Sequence, residues 1–138
     1  MKNAAKIKDV VQGRVLFNVH AFPGRDDPGY ITELHIKRKP YNHPSIQSLF
    51  SVAEHRYPGG SYVTTFSLSD AGIVQNRYNF HRTFTKRKAA EKYLAYITGQ
   101  NLSSIDTIRV ARYIEREIEN ELFDSHHFYD YDGVLVED

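Results

Sequence analysis

The chain has 138 residues, of which 41% are hydrophobic and 25% charged, with a formal net charge of +1 and no cysteine. These values exclude disulfides, thiolate metal sites and a cysteine nucleophile, and they leave no global field toward nucleic acid or membrane, so any such attraction must be local. With no apolar run of about 18 residues and no apolar segment in the lead MKNAAKIKDVVQG, the expectation is a cytoplasmic protein with no membrane partner.

Residues 1–13 read as a polar arm ahead of a single α+β domain over 14–138. Arg14 to Phe22 alternates, with Val15, Phe17, Val19 and Ala21 on one face and Leu16, Asn18, His20 and Phe22 on the other. PGRDDPG marks a loop, and Tyr30 to Ile36 alternates again. KRKPYNHP breaks that strand. Pro44 is placed as the first residue of a helix with the stripe Ile46, Leu49, Phe50 and Ala53, ended by the PGG at 58–60. Tyr62, Thr64, Phe66 and Leu68 mark another strand, and SDAG turns toward a further one over Arg77–Phe84.

That last strand runs into a helix with Ala89, Ala90, Tyr93, Leu94 and Ile97 at helical spacing, Thr85 as N-cap and Gly99 as C′ residue. A third helix starts at Ser103 and Asp106, which have capping-box spacing, and carries the stripe Ile105, Ile108, Ala111, Ile114, Ile118 and Leu122. Leaving aside the hairpin strand at 30–36, the order is strand, helix, strand, strand, helix. The expected fold is therefore α+β: a ferredoxin-like antiparallel sheet with an extra hairpin strand, two helices on one face, and a C-terminal helix and tail.

Two features point to function. Lys86, Arg87 and Lys88 sit at the positive end of a helix macrodipole, where acidic side chains would be the stabilising choice. With Arg82 and Thr85 they form a candidate anion or nucleic-acid site, and Lys37, Arg38 and Lys39 form a second basic run. The other feature is a polar sheet face. If Tyr78, Phe80 and Phe84 pack on the helices, the opposite face shows Asn79, His81 and Thr83 beside Asn18, His20, Glu33, His35, Thr65 and Ser67. His20, Glu33, His35 and His81 on that face read as a solvated or subunit-facing surface, with acid–base or metal chemistry as the sharper alternative. No metal or other cofactor is expected.

Three family comparisons bear on these residues. The polar register of Arg77–Phe84 and the missing glycine and aromatic spacing set the chain apart from the RNA-recognition motif. The segment FYDYDGVLVED resembles motif I of the haloacid dehalogenase-like phosphatases. That resemblance implies Asp130 as nucleophile and Asp132 as acid–base, but no downstream lysine or acidic loop follows, and a structural tail is expected instead. In order of elements, a first strand ending in AF, a helix, PGGSYVTT, a strand and a basic helix are similar to phage enzymes that degrade S-adenosylmethionine. The similarity implies ferredoxin-like trimers with sites between subunits and carries no residue over.

The leading expectation is a small binding module that contacts an anionic partner, nucleic acid first, through the basic helix start. The alternatives are a protein-binding, assembly or host-modulating phage-type protein using the polar sheet face, and a lyase-like enzyme. A homo-oligomer is compatible with each.

Overall fold

The computed structural model describes residues 2–23, 27–45, 48–74, 79–99, 102–103, 105–116 and 119. It divides into two compact units, Met1–Asn101 and Leu102–Asp138. The first unit is mixed α and β: a curled, wholly antiparallel sheet of six strands with one helix against it. The strands are β1 (Val15–His20), β2 (Tyr30–Ile36), β3 (Tyr41–Asn42), β4 (Leu49–Tyr57), β5 (Gly60–Ser67) and β6 (Arg82–Phe84), followed by α1 (Arg87–Thr98).

β4 is the organising strand. Along one edge it pairs with β2 (Ile36 opposite Ala53) and then with the short β3 (Tyr41 opposite Phe50). Along its other edge it pairs with all of β5. From there the sheet continues through β2 to β1 and ends at β6, with Leu16 opposite Leu34 and Asn18 opposite Thr83.

The helix expected to start at Pro44 is this central strand, which corrects the fold expectation. The spacing of Leu49, Phe50 and Ala53 suits a helix, yet Ser51 and Ala53 alternate inward and are wholly buried. The PGG is a hairpin turn, not a helix stop. Tyr57 and Gly60 flank a two-residue loop, Pro58–Gly59, in which Gly59 takes φ +104° as a turn of this kind requires. With a strand where the first helix should lie, the ferredoxin-like order of elements is not found.

Each face of the sheet is buried by a different part of the chain. Leu16, Leu34, Ile36 and Ala53 form one core with Ala5 and Val10 from the N-terminal segment and Leu68, Ala71 and Ile73 from the long β5–β6 connection. At Gly72 (φ +72°) a Cβ would collide with the carbonyl of His81 and come within 2.8 Å of the Arg82 Cα. Only glycine lets the connection lie this close to β6. On the opposite face α1 buries Ala90, Tyr93 and Ile97, alongside buried Val19 and Phe84. Residues 2–13 are integrated rather than trailing: Ala5 N–H donates to Thr83 O at 2.9 Å and Thr85 N–H to Asn3 O at 2.8 Å.

In the second unit a helix spans 105–116. Ser103 Oγ accepts from Asp106 N–H at 3.2 Å, the Ser half of the capping box. Ile105 and Ile108 are 72% and 53% exposed rather than buried; a stripe marks what a helix can bury, not what it does bury. Tyr78, Ile118, Leu122 and the FYDYDGVLVED segment with Asp130 and Asp132 lie outside the described residues.

Candidate functional site

The basic corner forms where β6 turns into α1. α1 starts at Arg87 with Lys86 as its N-cap, extended at φ −130° and making no side-chain cap bond. Thr85, expected to cap the helix, instead donates from both its N–H and its hydroxyl to Asn3 O, at 2.8 and 3.3 Å. The reason is topological: the N-terminal segment runs beside β6 and claims the hydroxyl first.

The cations of the corner then separate into two groups. Arg87 donates to Glu33 Oε2 at 2.9 Å and lies over the Phe17 ring, 5.2 Å from its centroid. Arg82 donates to the carbonyl of its neighbour His81 at 2.7 Å. Lys86 and Lys88, by contrast, line a cavity of about 540 Å³ together with Lys2 and Lys92. Its remaining lining is Asn3, Phe84, Ala89, Tyr93 and Tyr96, so no acidic side chain among the described residues lines the cavity. None of the four makes an ion pair among the described residues. The floor is fixed: Tyr93 OH donates to Phe80 O at 2.7 Å, and its ring packs on Phe84 at 5.5 Å.

Lys2, Lys92 and the aromatic floor were not singled out by the sequence. Lys88 and Lys92 are one helical turn apart, as are Ala89 and Tyr93, which is a readable signal. Lys2 carries none, because its position depends on how the N-terminal segment pairs with β6. The second basic run stands apart from this cavity, in the link between β2 and β3. There the Arg38 guanidinium lies 3.9 Å from the centre of the Tyr41 ring, and Arg38 O accepts from Ser51 Oγ at 2.6 Å. Lys37 N–H donates to Val52 O, and Lys39 follows without touching the cavity lining.

The expected polar face is split by the register. Asn18, His20 and Thr83 share one face with Thr32 and Leu34, whereas Glu33 and His35 project from the α1 face. Nor are Asn18 and Thr83 open to solvent. Asn18 is 5% and Thr83 1% exposed. Asn18 Nδ2 donates to Thr83 Oγ1 at 2.8 Å and to Ala71 O at 3.2 Å, and Thr83 Oγ1 donates to Ala71 O at 2.6 Å. Burying these groups is costly without partners, and the β5–β6 connection supplies the partner.

His20 and His81 do come together, with ring centres 5.0 Å apart. His20 stacks on Tyr30 at 4.3 Å, and His81 Nδ1 accepts from Ala21 N–H at 3.1 Å. Burial, and then the neighbouring His81 and His55, push His20 down to about 4, and burial also lowers His81 and His55. His20 lines a second cavity, about 380 Å³, with Tyr30, Thr32, Tyr57, Pro58 and Tyr62. On the other face Glu33 Oε1 meets His35 Nε2 at 3.0 Å, and these contacts with His35 and Arg87 hold its carboxyl below the usual range. Among the described residues no three His, Asp or Glu side chains converge as a metal site, and no helix is long and apolar enough to cross a membrane.

Residues 4–97 match the family model of the phage g100-like proteins, a span of more than half the chain. Comparison with curated proteins gives no match. Comparison with solved structures gives none either.

Proposed function

Since the chain belongs to the phage g100-like protein family, we propose that it is a phage-type binding protein whose lysine-rimmed cavity takes an anionic polymer, single-stranded nucleic acid first. The observation that carries this reading is the pairing of four lysines with an aromatic floor in one cavity that no acidic side chain lines among the described residues. Cations track a phosphate backbone and aromatic faces stack bases without regard to sequence. The contacts are assigned to Lys2, Lys86, Lys88 and Lys92 with Tyr96, which is 36% exposed. Arg82, Thr85 and Arg87 shape the corner through their internal bonds rather than by meeting the ligand, and Lys37, Arg38 and Lys39 are a separate outer contact.

The test is fluorescence anisotropy with a labelled single-stranded oligodeoxynucleotide across a salt series. Binding is expected to weaken steeply as salt rises. Replacing Lys86, Lys88 and Lys92 together by glutamate should lower affinity at least about tenfold while keeping the fold, because acids suit a helix start. Tyr96→Ala should weaken binding with little change in salt slope. Absence of binding at low salt, or a triple variant that binds like the parent, would refute the proposal.

A further inference from the structure

We propose that two copies of this chain associate through the outer edge of β5, pairing antiparallel about a two-fold axis at Thr64 to make one continuous sheet. The outer edges of the sheet at β6 and at β5 differ. Beyond β6 the N-terminal segment closes the edge, with Ala4 bridging Phe84 and backbone bonds from Ala5 and Thr85. β5 pairs with β4 on one side. On its other side no backbone hydrogen bond is made by Ser61, Val63 or Thr65 among the described residues.

The hairpin sets which groups point outward. A two-residue loop closes on a hydrogen-bonded pair, here Tyr57 and Gly60, and bonded pairs then recur at every second residue. Gly60, Tyr62, Thr64 and Phe66 therefore turn their backbone toward β4. Ser61, Val63 and Thr65 turn both N–H and C=O outward. The bond from Leu68 N–H to Leu49 O, at 3.0 Å, falls in the same parity.

An open strand of eight residues is ordinarily guarded by lysine, proline or a bulge. β5, GSYVTTFS, has no charge and no proline, and it exposes Val63 at 61% and Tyr62 at 52%. The nearest charges, Glu54 and Arg56 on β4, neutralise each other at 2.9 Å. This composition selects a second copy as the occupant. About a two-fold axis every side chain meets the same strand again, so one charge near the axis would meet its like; β5 carries none. With Thr64 on the axis, Tyr62 lies opposite Phe66 of the partner subunit, Val63 opposite Thr65 of the partner subunit, and Ser61 opposite Ser67 of the partner subunit. Those are aromatic, branched and hydroxyl pairs that favour sheet pairing. A charged segment of another protein finds no complement on this edge.

Because the chain has no cysteine, T64C places one thiol per chain on the axis. There two non-hydrogen-bonded residues lie with Cα atoms about 4.5 Å apart, within disulfide range. Under copper-catalysed air oxidation two thiols give up two protons and two electrons to form the bond. The full-length T64C protein should run largely as a covalent dimer on a non-reducing gel. V11C, at another solvent-exposed position outside β5 (45% exposed), should remain monomeric. The unsubstituted protein should sediment as a dimer, and T65K, which sets a charge on the outward edge, should sediment as a monomer with an unchanged circular dichroism spectrum. A monomeric parent at about 100 μM, equal cross-linking of T64C and V11C, or a T65K dimer would each overturn the proposal; the first would leave the edge to a strand from another protein.

Discussion

On the sheet face that carries Asn18, Thr83 and His20, the first two are buried and His20 is half-buried, whereas on the α1 face Glu33 and Arg87 pair at 2.9 Å beside solvent. The first arrangement depends on the β5–β6 connection, which brings the Ala71 carbonyl to Asn18 and Thr83. Desolvation there costs little at Asn18 and Thr83 because each has a partner. Burial also lowers the pKa of His20, His55 and His81, and His55 Nε2 is buried with no hydrogen-bond partner among the described residues. The second arrangement keeps its charges where water can screen them, so the Glu33–Arg87 pair adds little stability. The neighbouring Lys86 and Lys88 make no ion pair among the described residues. One face commits its polar groups to internal hydrogen bonds, and the proposed function assigns those of the other to recognition.

The contrast can be broken most severely through packing. Phe84 is 1% exposed and lies between β1 and α1; Phe84→Ala should lower unfolding free energy by roughly 3–5 kcal/mol in urea titration. An effect below about 1 kcal/mol would mean that α1 does not depend on this face.

Asn18→Ala tests the buried polar network. It strands Thr83 Oγ1 and the Ala71 carbonyl with one donor fewer, and the expected loss is roughly 1–3 kcal/mol. Glu33→Gln, on the charged face, should shift stability by no more than about 1 kcal/mol. Equal losses from the two substitutions would remove the distinction between the faces.

A graded effect concerns pH. The folded-state pKa of His20 lies at about 4, below its ordinary 6.5, so between these values the unfolded chain binds more protons. Stability is therefore full above about pH 6.5 and declines as pH falls toward 4, by on the order of 1–2 kcal/mol once partial exposure is allowed for. His20→Phe, which keeps a ring against Tyr30, should flatten that part of the profile. A parent whose urea midpoint is constant from pH 7 to about 4.5 would contradict a buried neutral His20.

Local periodicity in the sequence was enough for β1, β2, β5 and α1, whose observed limits fall within a few residues of the alternating and helical patterns. It was also enough to mark the lysines at the start of α1, since a run of cations against the helix dipole is visible without a fold. It did not resolve residues 44–57. Leu49, Phe50 and Ala53 fit a helical stripe as well as a strand, and what makes β4 a strand is pairing with β2, β3 and β5, contacts made across the chain. The register of the polar face failed for a related reason. Sequence alone makes a buried Asn18 or Thr83 look too costly, because their partner, the carbonyl of Ala71, is 53 residues from Asn18 and reaches it only through the turn at Gly72. Side-chain period and helix-end charge are local properties that the chain states in its own order of residues. Which strands share an edge, which polar groups find a carbonyl and which lysines meet around one cavity are decided only when distant segments pack, because burial and hydrogen bonding belong to pairs of segments and not to either one.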